Sequence, residues 1–257
     1  MKRIILLFTA TLLIFSLAIT ANAHDKTLVW FIKRNGNDTP KIPSEAEFIE
    51  KYNGYYVDKH AICNNDKNVL YLTFDIGYEN GNTEKILDTL KEKNVPAAFF
   101  VLDHVILKNT DLVLRMANEG HLVCNHTKNH KDLTKCSEEE IANNVIALEK
   151  IYTQKTGLLM SKYFRFPEGK YSEDSIKAVN SLGYKTIFWS FAYADWDNAR
   201  QPSENAAIKK ILNNTHNGAV ILLHPTSRTN AKILPQIIDK WREMGYEFGT
   251  LDDLTSK

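Results

Sequence analysis

Three things are scarce in this chain of 257 residues, and each shortage removes a class of protein. Cysteine is the first, with only Cys63, Cys124 and Cys136, and none of them in a CxxC pair. So few, and an odd number, exclude a disulfide-stapled scaffold, and the spacing supports neither a zinc ribbon nor a dithiol redox centre. Cys124 stands in the apolar run Leu122-Val123-Cys124 and reads as a small buried hydrophobe. The pairing of Cys63 with Cys136 stays open, since export would permit it.

Charge of one sign is the second shortage, because 32 Lys and Arg stand against 31 Asp and Glu, for a net charge of +1. That balance argues against nucleic acid or an anionic membrane as partner and favours a neutral or small-molecule substrate. Long apolar runs are the third. A single one spans residues 4–19, after Lys2 and Arg3 and before the small-x-small triplet Ala21-Asn22-Ala23. It is shorter than the ~20 residues that cross a bilayer, so residues 1–23 read as a cleaved export signal. Loss of Lys2 and Arg3 takes the charge from +1 to −1, still close to neutral.

Residues 24–66 are polar and irregular, with Trp30, Pro40, Pro43 and Tyr55-Tyr56, and Ser44 with Glu45 and Glu47 offers one short helix start. The segment is too short and too poor in apolar periodicity to fold alone, so it reads as an extension packed on the main domain. From residue 67 to 254 apolar runs of strand length alternate with amphipathic runs of helical length. The strands fall at 69–74, 97–102, 121–125, 163–166, 186–191, 219–223 and 247–250, and the helices at 82–94, 110–119, 137–156, 172–182, 203–214 and 231–244. Ser137 with Glu140 makes a capping box, Ser172 and Ser203 are further caps, and glycines follow four of the helices. Such alternation implies α/β architecture with parallel strands inside and helices outside. About seven units predict a distorted (β/α) barrel of about seven parallel strands, closed or nearly so, with an N-terminal extension.

Five chemically competent residues then fall at one end of that barrel. Asp75 follows the first strand, His126 the third, Arg165 ends the fourth, Asp195 follows the fifth and His224 the sixth. In α/β barrels this is the end that carries active sites. His126 and His130 lie four residues apart, a spacing that in a helical turn puts both imidazoles on one face, and nitrogen donors favour zinc or a similar divalent ion. His224 suits a proton donor near neutral pH, with the Asp195 carboxylate orienting it. Arg165 needs a carboxylate partner, and pairing with Asp75 would keep that residue ionised as a base.

The ordered motifs Thr73-Phe74-Asp75-x-Gly77, His126-Thr127-x-x-His130, Arg165-x-Pro167-x-Gly169, Asp195-Trp196 and Leu223-His224 resemble those of the polysaccharide deacetylases, carbohydrate esterase family four. The longer runs at 74–81, 189–196 and 248–254, with the Trp30 extension, are most similar to the spore-cortex deacetylases that act on N-acetylmuramic acid. The resemblance implies Asp75 as general base, His224 as the acid that protonates the leaving amine, Asp195 tuning His224 and Arg165 orienting Asp75. It implies His126 and His130 as ligands of a divalent metal, zinc by preference, and Tyr78, Pro167 and Trp196 as substrate contacts. The implied partner is a peptidoglycan glycan strand met by a single chain in the cell envelope or the spore intermembrane space, with no nucleic acid.

Two departures qualify the resemblance. Ile76 stands where many members have a third ligating carboxylate, so a metal would be weakly held, with Glu79 as one substitute ligand. Glu168 replaces an aromatic residue after the proline. Rival readings are an N-acetylglucosamine deacetylase on peptidoglycan or chitin-like glycans, and a glycan-binding pseudoenzyme.

Overall fold

The computed structural model describes residues 26–33, 39–64 and 67–256. The export signal read at 1–23 lies outside them. In chain order the elements are β1 (Leu28–Val29), a 3-10 helix at Ser44–Tyr52, β2 (Gly54–Tyr55), α1 (Lys59–Asn64), β3 (Asn68–Ile76), α2 (Thr83–Glu92), β4 (Ala98–Val101), α3 (Asp103–Lys108), α4 (Thr110–Asn118) and β5 (Leu122–Asn125). There follow α5 (Glu138–Thr156), β6 (Ser161–Phe164), β7 (Lys170–Tyr171), α6 (Glu173–Ser181), β8 (Lys185–Ile187), α7 (Glu204–Leu212), β9 (Ala219–Leu223), α8 (Arg228–Glu243), β10 (Tyr246–Phe248) and α9 (Leu251–Thr255).

The main sheet runs β10-β3-β4-β5-β6-β8-β2, and β9 also pairs with β3. Every pair in it is parallel. One edge of β3 is shared, its start bonding β10 and its residues 70–74 bonding β9. At the far side the chain leaves β8 and turns to β9, where a parallel bridge joins Phe191 to Ile221. That bridge curls the sheet into a distorted, sparsely closed (β/α) barrel, the architecture expected.

Period-two alternation along β3 sorts its side chains. Leu70, Leu72, Phe74 and Ile76 enter the apolar layer beneath α2, α4 and α8 together with Ile86, Val113 and Ile237. Tyr71 faces the opposite way, into the barrel interior with Phe100, Cys124 and Val220. Asp75 shares that inward parity and sits at the carboxyl end of the strand. The helices are capped as anticipated: Ser137 and Ser172 close capping boxes, Ser203 caps α7, and Gly157 ends α5 at φ 73°.

Several boundaries differ from expectation. The strand read at 186–191 stops at Ile187, because from Ser190 the backbone bonds Val220 of β9. The strand read at 247–250 covers Tyr246–Phe248, and Thr250 instead caps α9. Helix α8 begins at Arg228 behind the Ser227 cap, earlier than residue 231. The extension supplies β2 to the main sheet, pairs β1 with β7, and buries Trp30 on Phe188 at a ring separation of 4.2 Å. All three cysteines are free, Cys124 and Cys136 buried and Cys63 exposed.

Candidate active site

The carboxyl ends of the strands open on a pocket of about 560 Å³ lined by Asp75, Tyr78, His126, His130, Glu168, Trp189, Trp196, His224 and neighbours. Its walls are braced by short polar ties. Asn80 and Asn82 both donate to the Thr226 carbonyl, at 2.8 and 3.2 Å, so the loop after β3 is bound to the loop after β9.

Asp75 meets Arg165 at its base. Arg165 is fully buried and donates Nη1 to Asp75 Oδ1 at 2.8 Å. The rest of its guanidinium donates to the carbonyls of Ile187 (2.9 Å) and Phe188 (3.3 Å), and it lies 4.2 Å from the Phe100 ring centroid. Burial alone would push the Asp75 carboxyl up, but the charges around it, Arg165 foremost, hold it below its ordinary value. The carboxylate therefore stays ionised with Oδ2 free of Arg165.

The histidine segment is not a helical turn. Thr127 and His130 adopt left-handed backbone, φ 70° and 58°, so His126-Thr127-x-x-His130 is a tight loop after β5. Asn125 pins it by accepting from the Thr127 N–H (2.9 Å) while donating to the Val145 carbonyl (3.0 Å). The two imidazoles still meet, with centroids 5.1 Å apart at 74°. His126 Nδ1 lies 2.9 Å from the Arg165 carbonyl, an acceptor only, which assigns the ring proton to Nδ1. Its Nε2 lone pair then faces Asp75 Oδ2 at 3.7 Å. Burial takes His126 down to about 4 and lowers His130 as well. A neutral imidazole lone pair opposed to a carboxylate oxygen is relieved by a cation between them, so the donor chemistry fits a divalent ion. Among the described residues no group of three or more His, Cys, Asp or Glu side chains is arranged to hold a metal by itself. Ile76 accounts for that: it is fully buried in the layer beneath the helices and faces away from the pocket. Glu79 is no substitute, because it lines a different pocket with Lys108 and Arg115 and accepts from the Gly81 N–H.

Across the pocket His224 Nδ1 bonds Asp195 Oδ1 at 2.7 Å, and the His224 backbone N–H bonds Oδ2 at 2.8 Å. Burial depresses the imidazole, but the bond and charge of the fully buried Asp195 more than offset it, and His224 ends above its ordinary value. Nε2 is left for the pocket. Trp196, 58% exposed, stands edge-on to His224 at 5.8 Å, and Tyr78, 48% exposed, accepts a hydrogen bond from Asn198. These two aromatics form the rim. Pro167 is buried at the head of a 3-10 turn, Pro167–Gly169, and the wall itself is made by Glu168 and Gly169. Glu168 is left-handed there (φ 55°), and a Cβ on Gly169 would lie 2.9 Å from both Trp30 and Trp189. The sequence motifs gave no site role to Trp189, which lines the pocket, or to Trp30, Tyr193 and Asn230, which support it from behind.

An ionised carboxylate and a carboxylate-backed imidazole facing one pocket on a (β/α) barrel define a class of hydrolase that works by paired base and acid. A family model for polysaccharide deacetylase matches residues 63–187. The peptidoglycan-N-acetylmuramic acid deacetylase PdaA of Bacillus subtilis is 37% identical over 227 residues, 88% of this chain and 84% of that protein. The solved structure of Bacillus subtilis PdaA, a family 4 carbohydrate esterase, matches with a TM-score of 0.83 at 35% identity, over 89% of this chain and 97% of that one. A peptidoglycan-N-acetylglucosamine deacetylase of Bacillus cereus is 34% identical over 211 residues, 79% of this chain and 75% of that protein. This chain belongs to the polysaccharide deacetylase family, the family 4 carbohydrate esterases, whose members are metal-dependent.

Proposed function

We propose that this protein removes N-acetyl groups from peptidoglycan strands, attacking N-acetylmuramic acid ahead of muramic lactam formation in spore cortex. The observation that carries the reading is the separation of two carboxylates: Asp75 is bound to Arg165, Asp195 is bound to His224, and Asp75 and His224 face one pocket. Likeness to the muramic acid deacetylase over most of both chains supports the sugar.

In this reading Asp75, kept ionised by Arg165, takes a proton from the attacking water. The new C–O bond forms at the acetyl carbonyl carbon, and the C–N bond breaks as His224 Nε2–H protonates the departing amine. The products are acetate and a free amino sugar. Asp195 holds the Nδ1 proton on His224 and stabilises the imidazolium, while Trp196 walls the acetyl methyl group. A divalent ion, zinc in our reading, would be held by His126 and His130 and would supply Lewis-acid polarisation of the amide carbonyl. With Ile76 turned away, its affinity would be low. Residues 1–23 as an export signal would take the protein to the envelope, where this substrate is. Pure glycan binding has no use for a separate base and acid, which argues against a pseudoenzyme.

Acetate release from peptide-free peptidoglycan strands, measured beside N-acetylglucosamine oligomers, tests the proposal. Release from muramic residues supports it. Release from the glucosamine oligomers alone would transfer the activity to the substrate named for the Bacillus cereus relative, and release from neither would end the deacetylase reading.

A further inference from the structure

The Asp195–His224 pair continues into a buried chain of hydrogen bonds that the reaction scheme leaves unused. Asp195 Oδ2 accepts not only the His224 backbone N–H but also Asn230 Nδ2, at 2.6 Å. Asn230 is 1% exposed and lies in the first turn of α8, its backbone N–H bonded to Ser227 Oγ at 3.1 Å. Tyr193, also buried, donates its hydroxyl to Asn230 Oδ1, and Nδ2 reaches the His224 carbonyl at 3.4 Å. Only one amide orientation satisfies these partners, since exchanging O and N would turn the amide oxygen on the carboxylate.

We propose that Asn230, oriented by Tyr193, is a positioning residue that fixes the Asp195 carboxylate so that Oδ1 alone serves His224. A carboxylate with one oxygen untethered can rotate and offer either oxygen; two donors on Oδ2 remove that freedom. The same donors take up part of the carboxylate's negative charge and so limit how strongly it holds a proton on the imidazole. The other charged and titratable groups acting on His224, namely Asp75 at the end of β3, Arg165 after β6 and His130 in the loop after β5, are untouched by changes at 193 or 230. The inference rests on the deacetylase reading for its catalytic consequence, though not for the link itself.

Two variants test it. Asn230→Leu keeps the size and removes the donor, and Tyr193→Phe removes only the orienting hydroxyl. The His224 resonance is followed by NMR in protein labelled with ¹⁵N-histidine, identified by its loss in His224→Gln, while kcat and KM for acetate release are measured against pH. With Asn230→Leu, the His224 titration and the alkaline limb of kcat should both move up by about one pH unit. kcat should fall by about tenfold with KM within about twofold. Tyr193→Phe should shift both the same way by less. A folded variant with a lower melting temperature but an unchanged His224 titration overturns the proposal, and if Asn230→Leu does not fold, Tyr193→Phe decides it. A wild-type protein that releases no acetate sinks the deacetylase reading, and the NMR titration still decides the Asn230 link.

Discussion

Replacing Arg165 by methionine should be the most destabilising single change at this site. Arg165 is fully buried, its ion pair with Asp75 is 2.8 Å long, and the Asp75 side chain is only 10% exposed. The change strands a buried carboxylate and leaves the carbonyls of Ile187 and Phe188 without the donors they now have. Breaking a buried pair in this way costs about 3–5 kcal/mol, a large part of the ~5–15 kcal/mol that holds a domain together. At roughly 2–4 °C per kcal/mol for a chain of this size, the melting temperature should drop by about 6–20 °C. The pH dependence has a definite sign. The Asp75 carboxyl lies below its ordinary value in the folded protein, so its stabilisation is present above the unfolded pKa and lost as pH falls through the folded one. Without Arg165, burial, which raises Asp75, is opposed only by His126 and His224, so its carboxyl moves up. The penalty should therefore be greatest near neutral pH and shrink in acid, as the stranded carboxylate takes a proton. Adding Asp75→Asn should recover more than half of the loss, because an uncharged polar group tolerates the site better than an unpaired anion. Thermal melts of the wild type, Arg165→Met, Asp75→Asn and the double variant across pH measure all of this. An Arg165→Met protein that melts with the wild type, or a double variant no better than the single one, would refute the reasoning.

Other outcomes follow from the same geometry. Asp195→Asn removes the main influence that raises His224 and leaves only Asp75 to oppose the burial that lowers it, so the alkaline limb of kcat should move to lower pH, opposite in sign to the Asn230→Leu shift, and kcat should fall by about 10²–10⁴-fold; an unmoved limb would exclude His224 as the acid. Trp30→Ala should cost about 3–5 kcal/mol in denaturant unfolding and reduce acetate release even well below the melting temperature, because Trp30 donates to the carbonyls of Gly169 and Trp189 at the pocket wall. Full activity in the folded variant would detach the extension from the site. His126→Ala should weaken zinc binding by more than about tenfold in calorimetry, and unchanged zinc uptake would remove His126 from the ligand set.

Much of the frame was legible because it rests on local patterning. The run at 69–74 lies inside β3, and 219–223 coincides with β9, since both strands are buried on two faces and read as unbroken apolar segments. Ser137 and Glu140 marked the start of α5 to the residue. What was not legible depends on contacts distant in sequence. Nothing local announces that the chain after Ile187 changes partner from β6 to β9, or that Trp30 stacks on Phe188. At the site, the charged and imidazole residues were found by their place after strands, and the structure brings Asp75, His126, His130 and His224 to one pocket. The two-imidazole spacing pointed to proximity for a mistaken reason, a helical turn, whereas left-handed backbone at Thr127 and His130 brings the rings together. Asn230 carried no signal at all, because an asparagine early in a helix is ordinary and its partner Asp195 lies 35 residues away.

The claim at the centre of this account is that Asp75 acts as the base, and acetate release by a folded Asp75→Asn protein tests it most directly. The amide is nearly isosteric and can still accept from Arg165 through its oxygen, so circular dichroism and thermal melting should confirm an intact fold. Acetate release from peptidoglycan strands should then fall to the uncatalysed background. A folded Asp75→Asn protein that releases acetate at the wild-type rate would contradict it.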